Sequence, residues 1–139
     1  MRTSVAWIND YLEPNADADE QASVLTRVGL AFDGREPLDD GDTAQEIETT
    51  SNRGDCLCHL SLAREIAAAT GRRLKTPGAT ISGGPRRASD CVRVTVEDTV
   101  GCPRYTARII RGVRVAPSPE WMQRRLRAIG QIPRNNLVD

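Results

Sequence analysis

From Asp55 to Thr70 the chain reads DCLCHLSLAREIAAAT and then meets Gly71. Leu57, Leu60, Leu62, Ile66 and the alanines recur at helical spacing, with Arg64 and Glu65 left for water. An apolar stripe of this length must be covered, so the chain has to fold around it. Asp55 stands where an N-cap belongs, and Gly71 stops the run. The spacing therefore predicts a helix from about Asp55 to Thr70.

Two louder motifs overlap the same residues. Arg53-Gly54-Asp55 spells an adhesion tripeptide, which needs an extracellular, exposed loop tip. The N-terminal MRTSVAWIND has no continuous apolar segment to serve as a secretory signal, which makes a cytoplasmic location the expectation. Cys56, Cys58 and His59 resemble metal ligands. A structural zinc site wants four, usually as paired knuckles. Cys91 and Cys102 lie far along the chain, and three residues of one helix at these spacings cannot all face one ion. We expect no metal site and four free thiols.

Other elements read off in order. Ser4 precedes a short helix in which Trp7 and Tyr11, and Ile8 and Leu12, are i,i+4 partners; Pro14 closes it. Asp17 and Glu20 fit a capping box ahead of a second helix whose buried stripe is Val24, Leu25 and Val28, with Gly29 at its end. LAFDGRE and QEIETT read as strands around the polar turn PLDDGDTA. Residues 75–90, rich in Gly, Pro and Ser, read as a linker. Beyond it, CVRVTVED and RYTARIIRGVRV alternate like strands, with Val92, Val94 and Val96 on one face. A last helix has Ser118 as N-cap, Pro119 at its first position and Gly130 after its end, with Trp121, Met122, Leu126 and Ile129 as its apolar face. The fold class is α+β.

The 139 residues suffice for one ordinary domain or two small ones, and no segment approaches the ~20 apolar residues that span a bilayer. Net charge is zero but unevenly spread. Residues 1–55 hold 13 acids and 4 bases, and residues 56–139 hold 6 acids and 15 bases. Either the two halves present an acidic front and a basic rear to different partners, or they pair with each other. Arg124, Arg125 and Arg127 share one helix in the basic half, as RNA-contact candidates or as a solvated face. No P-loop, glycine-rich dinucleotide fingerprint or nucleophile elbow is present, and His59 is the only histidine. No catalytic residue is assigned.

The order of segments is more specific than any single motif. SVAWINDYLE, LTRVGLAFDG and EIETTSNRGDCLCHLSLAREIAAATGRRL together resemble the N-terminal region of the β subunit of bacterial phenylalanyl-tRNA synthetases. CPRYTARIIRGVRVAPSPEWMQRRLRAIGQIPRNNLVD resembles the opening of that subunit's editing (B3/B4-type) domain. Ser51 and Gly54 stand where the family usually has proline, while Asn52, Arg53, Asp55 and Leu57 keep their places. The OB-fold insertion common in the family is replaced here by REPLDDGDTAQ, and this chain stops at Asp139.

The resemblance implies a three-helix, winged-helix-like module over residues 1–74, the linker at 75–90, and the beginning of an editing-type β domain over 91–139. It implies a structural and assembly role in tRNA aminoacylation, with the synthetase α subunit, the rest of the β subunit and, weakly, tRNA as partners. Asn52, Arg53 and Asp55 form the interaction motif. ATP and Mg²⁺ belong to the complete family enzyme, and no cofactor is expected in this chain. The alternative is a stand-alone RNA- or protein-binding module of winged-helix-like fold.

Overall fold

A computed structural model of the chain describes residues 1–78 and 80–139. Its helices and small antiparallel sheets make an α+β fold. Two compact units are present: Met1–Gly78 together with Ala116–Asp139, and Ala79–Val115. Residues 91–139, grouped above as the start of one β domain, are thus shared between the two.

In the first unit, β1 (Arg2–Ser4) leads directly into α1 (Val5–Asn9). Ser4 caps α1 by accepting from the Trp7 N–H at 2.9 Å, and Asp42 accepts from the Ala6 N–H at 2.9 Å. Two orphan donors of the first turn are thereby satisfied, one of them from a distant turn. After β2 (Leu12–Glu13), Asp17 caps α2 (Ala18–Arg27) through the Glu20 N–H at 2.8 Å. The reciprocal half of the expected capping box does not form, because the Glu20 carboxylate is taken by Arg72 at 2.7 Å. Gly29 follows α2 with φ +91°, a conformation that favours a residue without Cβ.

β3 (Phe32–Pro37) and β4 (Thr43–Ile47) form a hairpin, with a register shift between Phe32 and Gly34. β1 adds antiparallel to the other edge of β4, giving the order β1-β4-β3. Next come a 3₁₀ turn at Gly54–Cys56, α3 (His59–Thr70), and β5 (Arg73–Leu74), which pairs with β2. α1, α2, α3 and the sheet enclose one core in which Ile8, Leu12, Leu25, Leu30, Ile47, Leu62 and Ile66 are fully buried. Each such side chain contributes about 1.5–3 kcal/mol of apolar transfer, and the α3 stripe supplies two of them, Leu62 and Ile66.

The start of α3 departs from expectation. Asp55 lies inside the 3₁₀ turn, and Cys58 occupies the N-cap of a helix that begins at His59. The turn rotates Leu57 out of the stripe, leaving it 63% exposed. α4 (Glu120–Ala128) also starts later than predicted: Pro119 is the N-cap, and the Ser118 hydroxyl instead donates to Asp139 at 2.6 Å. Of its expected apolar face, Trp121 is exposed and Met122, Leu126 and Ile129 are half-buried, whereas Ala128 is buried. α4 lies against β1, and the Arg2 Nε–H donates to the Ala128 carbonyl at 3.0 Å.

The second unit has one 3₁₀ turn, Ala88–Asp90, and no strand among its described residues. The strands predicted at 91–97 and 104–115 do not form. Val92, Val94 and Ile109 stay exposed. Alternation supplies a face, but a two-stranded ribbon without a covering layer is marginal in water.

Candidate interaction site

The Asn52-Arg53-Asp55 motif folds into a clip ahead of α3. The Thr50 hydroxyl donates to Asn52 Oδ1 at 2.7 Å, and the Arg53 N–H donates to the Thr50 carbonyl at 2.9 Å. The Arg53 guanidinium then meets Asp55 through both edges, Nε to Oδ1 at 3.1 Å and Nη2 to Oδ2 at 3.0 Å. It also reaches Glu65 Oε1 on α3 at 2.8 Å. A planar fork between two carboxylates fixes turn and helix together.

The electrostatics follow from this geometry. The Arg53 hydrogen bonds hold Asp55 well below the usual carboxylate range, at about 2, and Asp55 in turn raises Arg53. The buried Cys56 thiol, which donates to Asp55 at 3.3 Å, is pushed up to about 11, first by burial and then by that bond. Donor atoms of Asp55, Cys56 and Glu65 lie within 4.8 Å of one another. The Arg53 guanidinium already supplies the positive charge between the two carboxylates.

Cys56, Cys58 and His59 are not brought together. Cys56 faces Arg53 and Asp55, and Cys58 Sγ pairs with the Ser61 hydroxyl at 3.2 Å. His59 has partners of its own. Its Nε2 accepts the Ser4 N–H at 3.1 Å, and its ring stacks on Trp7 with centroids 3.9 Å apart. Burial, then the nearby Arg125 charge, pushes the imidazole down to about 4 against the opposing pull of Asp42. His59 is therefore a neutral core acceptor at neutral pH.

The three α4 arginines each have a partner. Arg125 pairs with Asp10 at 2.5 Å and lies 4.9 Å from the Trp7 ring and 5.2 Å from the Trp121 ring. Arg124 is 3.7 Å from Asp40, and Arg127 bonds Glu120 at 3.2 Å and Gln123 at 2.6 Å. Arg72–Glu20 and Arg73–Glu13 also join the basic half to the acidic half. Much of the charge asymmetry is thus resolved inside the first unit. The Trp7–His59–Arg125–Trp121 assembly has no motif in the sequence, since its members come from three separate segments; the opposed charge of the two halves is the only signal that points toward it.

The site is thus a set of salt-bridged surfaces on a small α+β unit. The B3/4 domain family matches residues 101–139. The chain is 45% identical over its full 139 residues to the phenylalanine–tRNA ligase β subunit of Rhodopirellula baltica, covering 20% of that protein. It is 46% identical over 98 residues, or 70% of its length, to the β subunit of Syntrophotalea carbinolica, covering 12% of that protein. It is 42% identical over 105 residues, or 76% of its length, to the Fusobacterium nucleatum β subunit, covering 13% of that protein. A match to phenylalanine–tRNA ligase β subunits thus runs along the whole chain, which spans about a fifth or less of the length of these relatives. No solved structure matches it. No helix among the described residues is long and apolar enough to cross a membrane.

Proposed function

We propose that this chain is the N-terminal interaction portion of a phenylalanine–tRNA ligase β subunit, serving tRNA aminoacylation in the cytoplasm through its partners and carrying no catalytic residue itself. The observation behind this reading is the likeness to the Rhodopirellula baltica β subunit along all 139 residues. On this reading the first unit is a winged-helix-like module with the β3–β4 hairpin as its wing. The sequence from residue 101 onward enters an editing-type barrel, consistent with the B3/4 match.

The partners are the α subunit, the remainder of the β subunit and tRNA, with ATP and Mg²⁺ used outside this chain. The rigid Arg53 clip, with exposed Asn52 and Leu57 beside it, suits a protein contact. Arg124 and Arg127 are the α4 residues that we assign to tRNA phosphate. They are 61% and 55% exposed, and their carboxylate partners are exchangeable. Arg125 serves the fold.

The test is reconstitution. The purified chain with phenylalanine, ATP and tRNA should give no pyrophosphate exchange. Mixed with the α subunit and the complementary part of β, it should co-elute and restore charging of tRNA with phenylalanine. Exchange by the chain alone, or failure to co-elute, overturns the proposal; RNA binding without any association with α would instead favour a stand-alone module.

A further inference from the structure

Most guanidinium groups of the first unit are committed to carboxylates, as with Arg2, Arg53, Arg72 and Arg125, all paired within 3.0 Å. The second unit is built differently. Residues 80–115 hold seven arginines and three acids. Among the described residues, Arg86, Arg87 and Arg111 form no ion pair, and all three are exposed. They line one cavity of about 410 Å³ together with Pro85, Cys91 and Ile109, and no acidic residue lines it. Arg111 Nη2 lies 3.1 Å from Cys91 Sγ, which anchors that guanidinium at the wall.

Three permanent cations around one concavity repel one another, and an anion that enters removes that cost. Guanidinium forks match the oxygens of phosphate, which they bind through paired N–H donors. The apolar lining from Pro85 and Ile109 suits the sugar or base beside a phosphate. Three fixed cations exceed the single charge of one phosphodiester, so a chain of phosphates satisfies them better than one.

We propose that the Arg86–Arg87–Arg111 cavity binds the phosphodiester backbone of RNA. The choice of RNA among phosphodiester polymers rests on the reading that the chain serves a tRNA ligase. The arginines of the cavity differ from those of α4, each of which has a carboxylate partner in Asp40, Asp10 or Glu120.

The experiment is fluorescence anisotropy of the whole chain with a short, labelled, mixed-sequence single-stranded RNA over a series of salt concentrations. Each phosphate contact to a single strand contributes roughly 0.7 to the slope of log K against log salt. The R86Q/R87Q/R111Q variant should therefore lose about 2 units of slope and bind at least about tenfold more weakly at low salt. A charge-matched control, R27Q/R64Q/R134Q, removes exposed arginines of the first unit and should keep the parent slope. R86K/R87K/R111K should also retain most of it. Because the three side chains are exposed and hold no carboxylate, far-UV circular dichroism should be unchanged in every variant. An unchanged slope in R86Q/R87Q/R111Q, or an equal loss in the control, overturns the proposal and leaves the family reading standing, since reconstitution with the α subunit tests that separately. Absence of RNA binding by the parent chain also overturns it.

Discussion

Arg125 on α4 reaches Asp10, 115 positions earlier, through an Nη2–Oδ2 contact of 2.5 Å, and its guanidinium sits close to both tryptophan rings of the chain. An exposed ion pair contributes at most about 1 kcal/mol, and a cation over an indole adds about 0.5–1 kcal/mol. Arg125→Ala should therefore cost about 1–2 kcal/mol in urea unfolding, and Asp10→Asn less. Arg125→Lys should fall between them. Equal effects of Arg125→Ala and Asp10→Asn would remove the stacking from the account.

Leu57 and Leu62 are both leucines of the apolar run, with opposite fates: 63% exposed and fully buried. Leu62→Ala should lower stability by about 2–5 kcal/mol through lost transfer and a residual cavity. Leu57→Ala should stay within about 0.5 kcal/mol. Thermal melts of the two variants check this, and a large loss for Leu57→Ala would mean that the side chain is buried after all.

His59 carries a pH dependence with a definite sign. Its folded pKa, about 4, lies below the ordinary 6.5. Between those values the unfolded chain binds a proton that the folded chain refuses, so stability falls as pH drops from 6.5 through 4. Burial, Arg125 and Asp42 set the shift. The urea midpoint should fall between pH 7 and pH 5, and His59→Gln should flatten that dependence at the cost of a lower midpoint at pH 7. Direct NMR titration of His59 near 6.5 would contradict the buried, neutral imidazole.

Asp55 acts at lower pH. Its folded value, about 2, lies below 3.8 because of Arg53. The stability it lends is complete above 3.8 and is lost as pH falls from there through about 2. In Arg53→Ala the carboxyl should titrate close to 3.8, as read by carbon NMR. Arg53→Lys should recover only part of the shift, because an ammonium cannot engage both oxygens as the fork does.

What the sequence determined by itself lies within a turn or two of chain. The Ser4 and Asp17 caps, the Gly29 ending, the β3–β4 hairpin and the Leu62–Ile66 stripe all depend on neighbours a few residues away, so their spacing encodes them. The likeness to synthetase β subunits was likewise legible from the order of segments. The tertiary structure decided the rest. Asp55 pairs with Arg53, which also reaches Glu65, instead of capping α3, because a bidentate guanidinium competes with backbone N–H donors for the same oxygens. Alternation at 91–97 and 104–115 yields no strands, because a strand needs a partner edge and a covered face that the pattern cannot provide. His59 and Arg125 take their roles from Ser4, Trp7 and Asp10, more than 45 positions away. Local periodicity carries no information about which surfaces meet at such separations; that is settled only when the core closes and the charges of the two halves are brought within reach of each other.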